Sequence, residues 1–233
     1  MYNIKFLFNR LIAYLTVIFL LAVFPQRANS QETPEGMQFT IARIKYDGGG
    51  DWYCDPSSLP NLLEYSGQNA PLETQLDEKQ VSISDEDFYS YPYLYISGHG
   101  NIKFSREEVL RLRNHLQKGG FLHADDNYGM DESFRREIKK IFPDKELVEI
   151  PANHNIFNIF YNFPNGLPKI HEHDGKPAQG FGIFHKKRLV VFYSYESDLG
   201  DGWESPEVHN DPPEKREAAL KMGTNIILYS LTQ

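Results

Sequence analysis

The chain has 233 residues, a net charge of −8 at neutral pH and one cysteine, Cys54. A surplus of carboxylates disfavours binding to nucleic-acid phosphates and to anionic membrane surfaces, so we exclude both classes of partner. One cysteine cannot form a disulfide within the chain, so the hydrophobic core must stabilise the fold without covalent links.

The first 30 residues have the three parts of a secretory signal peptide. Lys5 and Arg10 give a positive start, residues 11–24 form an apolar core, and small residues precede a cleavage site before Gln31. The apolar run is about 14 residues long, whereas a membrane span needs about 20. An uncleaved anchor is the alternative. We predict an exported protein, periplasmic or extracellular, with no membrane span after cleavage.

The remaining chain predicts one domain with a short extension in front of it. Residues 31–38 are polar and predict a flexible lead-in, and residues 39–233 are long enough for a single domain with a sizeable core. Loss of the three basic residues of the leader changes the net charge from −8 to −11. The mature protein would therefore be acidic.

The first part of this domain alternates between strands and helices. Alternating β-forming residues predict a strand over 39–46, and a leucine stripe predicts a helix over 57–67. A short strand is expected at 71–77. A helical turn or loop over 84–92 then leads into an apolar strand over 93–97.

The strongest helix signal follows, over residues 105–120. It begins with a serine–glutamate capping box and ends with two glycines. A strand is predicted at 121–125, and a second amphipathic helix at 131–142 with Asp131 as its N-cap. Residues 146–150 predict a further strand.

Beyond this strand the pattern changes. Residues 153–166 are aromatic and asparagine-rich without a clear period, residues 180–195 predict two strands around a Lys-Lys turn, and residues 214–231 predict a closing helix. Strand–helix alternation over 39–150 predicts an α/β fold with a mostly parallel sheet and helices on both faces. The hairpin would extend one edge as an antiparallel addition.

Polar side chains are concentrated in the loops that follow the predicted strands, where ligands of such sheets bind. These side chains are Asp47, Asp51, Trp52, His99, Asp125, Asp126, His154, Asp198 and Trp203. An imidazole beside a carboxylate can act as a general acid–base pair, so His99, Asp125 and Asp126 are the catalytic candidates. The candidate ligand-binding residues are Asp51, Trp52, His154, Asp198 and Trp203. The two tryptophans are included because indole rings can stack on a sugar or peptide.

Each candidate also has a structural alternative. The glycines on both sides of His99 suit a sharp turn that holds the imidazole against a loop carbonyl. Adjacent strand residues point in opposite directions, so at least one of Asp125 and Asp126 is expected to be structural. The two tryptophan loops can equally pack on one another.

Metal binding and nucleophilic catalysis have weaker support in the sequence. His171 and His173 would share a face of a strand and could hold a metal, but this short spacing is common by chance. The strand–turn–helix pattern Gly-x-Ser/Cys-x-Gly does not occur, and Cys54 has no neighbour at a diagnostic spacing. The sequence therefore leaves open whether the protein binds a metal or another cofactor.

Several motifs, in their order and spacing, resemble the bacterial family catalogued as domain of unknown function 4159. They are FTIARIKYDGGGDWY, YLYISGHGNIKFSREEVLRLRNHLQKGGFLHADDNYG, FRREIKKIFP, PANHNIF, GIFHKKRLVVFYSYESDLGDGW and ALKMGTNIILY, and they cover about 39–231. The resemblance implies a flavodoxin-like fold of the class I glutamine-amidotransferase type, and the middle segment looks like trehalose-utilisation proteins. The amidotransferase cysteine has no counterpart, so glutamine hydrolysis is not implied. The family's characteristic residues map onto Trp52, His99, Asp125, Asp126, His154 and Asp198.

The sequence as a whole predicts an exported domain with a polar cleft at the carboxyl edge of its sheet. The leading hypothesis is a non-catalytic ligand-binding or assembly module of the cell envelope, whose partner is an unknown small molecule, a glycan or an envelope protein. The alternative is a hydrolase, metal-assisted or not, that acts on a glycan or peptide. A third hypothesis is a structural partner in an envelope complex, bound through the aromatic surface 157–163.

Overall fold

The computed structural model describes residues 38–233, so the predicted signal peptide and residues 31–37 of the lead-in lie outside the described residues. The strands are β1 (Ala42–Lys45), β2 (Lys79–Ser82), β3 (Tyr93–Ile96), β4 (Phe121–Asp125), β5 (Val148–Glu149), β6 (Gln179–His185) and β7 (Arg188–Tyr195). They form one seven-stranded sheet in the order β2-β1-β3-β4-β7-β6-β5.

Within residues 38–233, six helices lie between and after the strands. They are α1 (Ser58–Asn69), α2 (Arg106–Gln117), α3 (Asp131–Ile141), α4 (Leu199–Trp203), α5 (Pro206–His209) and α6 (Pro213–Leu231). Short 3-10 turns occur at Glu86–Ser90 and Asn155–Phe157. Among residues 38–233, no helix combines the length and apolar character that crossing a membrane requires.

The strand directions confirm the predicted α/β class. The strands β2, β1, β3, β4 and β7 run parallel to their neighbours, whereas β6 is antiparallel to β7 and β5 is antiparallel to β6. Lys186 and Lys187 join β6 to β7 with φ angles of 51° and 71°. Two consecutive positive φ angles are typical of the tight type I′ hairpin turn.

The alternation of side chains along β3 shows how the sheet separates two hydrophobic layers. Leu94 and Ile96 face the layer that contains apolar residues of α2 and α3, whereas Tyr93 and Tyr95 face the layer that contains residues of α1 and α6. Successive strand residues point to opposite faces, so helices cover the sheet on both sides. A strand covered in this way is apolar throughout, as the sequence of β3 is.

The position of β2 corrects one local prediction. The short strand expected at 71–77 is found at Lys79–Ser82, and Thr74 makes only an isolated bridge to Phe39. Because β2 is an edge strand, its position is set by pairing with β1 and not by its own residue pattern.

The start of α3 corrects a second prediction. Met130 occupies the N-cap position, and Asp131 is the first residue of the helix. Its carboxylate accepts hydrogen bonds from Arg135 Nε at 2.6 Å and from the Tyr193 hydroxyl at 2.9 Å. A charged donor within the same helix and a phenol from β7 are stronger partners than the free amides of the first turn, so Asp131 does not cap.

Candidate functional site

The loops that follow β1, β3, β4 and β7 lie in contact with one another at the carboxyl edge of the sheet. The amide of Asp51 donates to the carbonyl of His99 at 3.3 Å, which joins the loops after β1 and β3. The side-chain amide of Asn127 donates to Asp55 at 3.3 Å, which joins the loops after β4 and β1. The sequence therefore located the polar edge of the fold correctly.

His99 follows β3 and pairs with Asp51. Its side chain is 50% exposed, its Nδ1 lies 3.0 Å from Asp51 Oδ2, and its backbone amide donates to Asp51 Oδ1. One carboxylate thus fixes both the backbone and the ring of His99. The expected imidazole–carboxylate contact exists, but its carboxylate comes from the loop after β1 and not from Asp125 or Asp126.

The glycines beside His99 shape the turn that carries it. Gly98 and Gly100 have φ angles of 138° and 87°, which side-chain-bearing residues rarely adopt. A Cβ at Gly98 would also collide with the hydroxyl of Tyr46, which donates to the carbonyl of Ser97 at 3.1 Å. The two glycines can therefore form a sharp turn while His99 remains a candidate site residue.

Asp125 ends β4 and is fully buried. Its carboxylate accepts four hydrogen bonds, from the hydroxyls of Tyr95 and Ser194 and from the backbone amides of Leu199 and Gly200. Burial and the charge of Asp198 raise the pKa of Asp125 to about 8, although hydrogen bonds from Ser194 and Gly200 oppose the shift. Within residues 38–233 no hydrogen bond joins Asp125 to His99, so Asp125 connects β4 to β7 and α4.

Asp126 points away from Asp125 and lines an acidic pocket of about 210 Å³. The lining residues are Asp126, Gly129, Asp131, Glu132, His173, Asp174 and Glu196. Asp126 Oδ2 accepts from the amide of Glu196 at 2.9 Å, and burial raises its pKa to about 6. Five carboxylates around one imidazole make the pocket suitable for a cationic group.

Asp198 lies behind this pocket, after β7. It is 2% exposed, and its φ of 59° is unusual for a residue with a side chain. Its Oδ2 lies 3.0 Å from His173 Nε2 and 3.4 Å from His171 Nδ1. Burial alone would raise the pKa of Asp198, but hydrogen bonds from the two histidines outweigh it and hold the pKa at about 2.

His171 is enclosed by carboxylates. Its Nδ1 lies 2.8 Å from Asp201 Oδ2, and its Nε2 lies 3.0 Å from Asp211 Oδ2. The interaction with Asp198 is the main cause that raises the pKa of His171 to about 9. Burial and the charges of Asp198 and Asp55 raise the pKa of Asp201 to about 9.

His209 closes this group from the end of α5. Its Nε2 lies 3.2 Å from Glu204 Oε2 and 3.6 Å from Asp201 Oδ2, and its ring centre is 5.0 Å from that of His171. We refer to the whole set as the histidine–carboxylate cluster. Its members are His171, His173, Asp198, Asp201, Glu204, His209 and Asp211.

Four groups of side chains within residues 38–233 have ligand atoms close enough together to hold a metal ion. They are Asp51–Cys54–His99, His171–Asp201–His209, Asp55–Glu204–His209 and Asp126–His173–Glu196, and the ligand atoms of each group lie within 4.8 Å of one another. All four belong to the loops at the carboxyl edge. The chemistry available there is cation binding and, at His99, proton transfer.

Cys54 is partly buried in the loop after β1. Its thiol donates to Asp55 Oδ2 at 3.1 Å. Burial is the main cause that raises the pKa of the thiol, and the neighbouring carboxylates Asp55 and Asp51 add to it. The thiolate is the nucleophilic form, so Cys54 is not an activated nucleophile.

The two tryptophans lie in different environments. Trp203 is fully buried, its Nε1 donates to the carbonyl of Ala219 at 2.8 Å, and its ring packs near Tyr95. This position corrects the expectation that Trp203 faces the cleft, because α4 turns the chain back into the core. Trp52 is partly buried, packs against the hydrophobic layer that contains residues of α2 and α3, and lies edge-on to Tyr53.

His154 does not lie near the polar residues of the carboxyl edge. Its Nδ1 accepts from the amide of Ile156 at 3.2 Å, and its ring packs against Tyr229 and Phe184. Phe184 lies near the end of β6, an antiparallel strand whose end is at the opposite edge of the sheet. The expectation that His154 lies with the other polar side chains at the carboxyl edge is therefore corrected, because the chain folds back over the sheet after β5.

Sequence reasoning missed Asp55, Asp201, Glu204, His209 and Asp211. Residues 168–178 and 198–211 form no long regular element, so no periodicity predicted that they would meet. The available signal was composition: residues 198–211 contain Asp198, Asp201, Glu204, Glu207, His209 and Asp211 close after a strand. The spacing of His171 and His173 was noted, but these residues lie in a loop and not in a strand.

Comparison with known proteins supports a family assignment. A search of curated proteins found no similar sequence. A family model described as "Domain of unknown function (DUF4159)" matches residues 40–231, which include every strand of the sheet and every loop of the carboxyl edge. The chain therefore belongs to the DUF4159 family.

Proposed function

We propose that the protein is an exported, non-catalytic domain of the cell envelope that binds a glycan at the carboxyl edge of its sheet. The observation that carries the proposal is a set of aromatic rings beside the polar His99–Asp51 pair, two of them exposed and one partly buried. We call the rings Trp52, Tyr53 and Tyr128 the aromatic rim. Aromatic faces stack on the apolar faces of sugars, and nearby polar groups fix the sugar hydroxyls.

The loops that carry the aromatic rim form one continuous surface. Tyr53 is 64% exposed and Tyr128 is 62% exposed. A Cβ at Gly100 would lie 3.8 Å from Gly50, and a Cβ at Gly129 would lie 3.8 Å from the amide of Gly100. One extended ligand can therefore contact the loops after β1, β3 and β4 together.

Two features support a non-catalytic role. The thiol of Cys54 has a raised pKa, so it stays protonated near neutral pH. The carboxylate of Asp125 is buried under four hydrogen bonds and cannot reach a ligand. The export part of the proposal rests on the signal-like pattern of residues 1–30.

The negative charge beside the aromatic rim indicates which glycans can bind there. The ring of Tyr128 lies 6.2 Å from the ring of His173, which lines the acidic pocket. Carboxylates of Asp126, Glu132 and Asp174 line the same pocket. Because like charges repel, neutral or amine-bearing sugars fit this edge better than anionic ones.

The His99–Asp51 pair also supports the hydrolase alternative. An exposed imidazole whose Nδ1 lies 3.0 Å from a carboxylate oxygen can act as a general base. In that case His99 would activate water against a glycan or peptide, with Asp51 orienting its ring. The two functions differ in whether bound ligand is cleaved.

A binding titration with neutral, amine-bearing and anionic oligosaccharides tests the proposal. We expect Trp52→Ala and Tyr128→Ala each to weaken binding by about tenfold, as expected for loss of one stacked ring. Phe160→Ala is the matched control, because Phe160 is an exposed aromatic of the 157–163 surface. Weaker sugar binding only in Phe160→Ala would overturn the proposed site, because it would place the sugar on the 157–163 surface. Cleaved products that disappear in His99→Ala would establish the hydrolase instead.

A further inference from the structure

We propose that His171, Asp201 and His209 form a binding site for a divalent metal ion of the zinc type. The site lies in the histidine–carboxylate cluster and uses no residue of the aromatic rim. It is therefore independent of the proposed glycan binding.

The donor set is the first argument. The ligand atoms of His171, Asp201 and His209 lie within 4.8 Å of one another. Asp201 Oδ2 lies between the two imidazoles, 2.8 Å from His171 Nδ1 and 3.6 Å from His209 Nε2. Two imidazole nitrogens with carboxylate oxygen are typical zinc ligands, whereas magnesium and calcium prefer oxygen alone.

The orientation of His171 is the second argument. Its Nε2 is paired with Asp211 Oδ2 at 3.0 Å, so Nδ1 points to the other ligands. Histidines that bind metals usually donate their second ring nitrogen to a carboxylate, which fixes the ring and makes it a better ligand. Asp211 is in the position of such an orienting carboxylate.

An unpartnered oxygen provides independent support. Asp198 is 2% exposed, and its Oδ1 has no hydrogen-bond partner among residues 38–233. The same carboxylate contacts His171 through Oδ2 at 3.4 Å, so the unpartnered oxygen is carried by a residue next to the proposed ligands. A buried carboxylate oxygen without a donor is costly, and a cation nearby would lower that cost.

The other three groups are less suitable. In Asp55–Glu204–His209, Asp55 accepts from Cys54 and Glu204 accepts from Ser57. In Asp126–His173–Glu196, Lys169 Nζ already lies 2.6 Å from Glu196.

The third less suitable group of possible metal ligands is Asp51–Cys54–His99. Asp51 is occupied by the backbone and ring of His99, and the Cys54 thiol is bonded to Asp55. Only the His171 group combines two imidazoles with an adjacent unpartnered oxygen.

The cluster is also accessible to an ion. The side chains of His171 and His209 are 25% and 29% exposed, so an ion can enter between α5 and the loop that carries His171. Three protein ligands leave the fourth position of a tetrahedral zinc ion free for water. Such an ion would hold residues 168–178, α4 and α5 together.

Calorimetric titration of the chelator-treated, purified protein with zinc tests the site. We expect one zinc per chain and a higher melting temperature in its presence, because the ion binds the folded form. His209→Ala should bind zinc at least about tenfold more weakly and lose the shift in melting temperature. His185→Ala is the matched control, because this histidine lies at the opposite end of β6 and should change neither result.

A second measurement keeps the test independent of folding defects. X-ray absorption of the zinc-loaded protein should show about two imidazole ligands at roughly 2.0–2.1 Å together with oxygen ligands. Asp211→Asn should weaken zinc binding by about 10–100-fold while the ligand set stays the same. Absence of zinc binding, equal affinity in His209→Ala, or equally tight binding of magnesium would each overturn the proposal. Sugar binding by the aromatic rim is measured separately and does not depend on these outcomes.

Discussion

The ends of β3 and β4 are neighbours at the same edge of the sheet, yet they present their polar residues in opposite ways. His99, after β3, is half exposed and is held by one carboxylate. Asp125, at the end of β4, is fully buried and accepts four hydrogen bonds. The difference arises because α4 covers the end of β4 and donates two backbone amides to it.

This comparison shows that position at the carboxyl edge does not by itself assign a functional role. A titratable group that is covered and fully bonded stabilises the fold, whereas one that is exposed and singly bonded remains available to a ligand. The ends of β4 and β3 should therefore respond very differently to substitution.

Replacing Asp125 with alanine should destabilise the protein strongly. The change leaves buried donors of α4, Ser194 and Tyr95 without an acceptor, at a cost of about 3–5 kcal/mol in the free energy of unfolding. At about 2–4 °C per kcal/mol for a chain of this size, the melting temperature should fall by roughly 6–20 °C. Asp125→Asn is the control, because it keeps the shape and one acceptor oxygen. An unchanged melting temperature in Asp125→Ala would show that Asp125 does not stabilise the end of β4.

Acid should destabilise the protein through His123, in the middle of β4. This imidazole is fully buried between the Tyr93 hydroxyl at 3.1 Å and Ser194 Oγ at 3.0 Å, and burial lowers its pKa to about 3. The unfolded chain protonates at about pH 6.5, whereas the folded chain stays neutral, so stability is complete above about pH 6.5 and is lost as the pH falls towards 3.

Denaturant unfolding at several pH values measures this contribution. Over that window the wild type should lose up to about 1.4 kcal/mol per pH unit more than His123→Gln. His185→Gln changes a histidine at the end of β6, and its loss of stability per pH unit should equal that of the wild type. Equal acid slopes for the wild type and His123→Gln would show that His123 is not held neutral.

Replacing His99 with alanine should have the smallest effect on stability. The ring is half exposed and makes one side-chain hydrogen bond, to Asp51, so the change should stay within about 0.5 kcal/mol. Thermal unfolding of His99→Ala beside Asp125→Ala makes the comparison directly. A drop in His99→Ala as large as that in Asp125→Ala would mean that the end of β3 is as structural as the end of β4.

The sequence predicts the class of fold because helices and strands have different patterns of apolar residues. Leu112 and Leu116 repeat at helical spacing in α2, and residues of β3 are apolar throughout, so both elements follow from burial alone. Pairing at the sheet edge is not encoded locally, and for that reason β2 was placed several residues too early.

The candidate site is predictable only in part for a similar reason. Strand ends identify Asp51, His99 and Asp125 as residues of one edge, but nothing local predicts that α4 covers Asp125. The helix α4 has the sequence LGDGW, and two glycines in five residues give it a weak helical propensity. The same covering helix buries Trp203, which therefore could not be distinguished from an exposed tryptophan.

The hydrogen bond from the Cys54 thiol to Asp55 has a consequence for redox chemistry. Disulfide exchange requires a thiolate, and two neighbouring carboxylates together with burial keep this sulfur protonated. A chain with a single cysteine can form disulfides only with other molecules. The environment of Cys54 therefore disfavours disulfide exchange at this residue with thiols of other molecules.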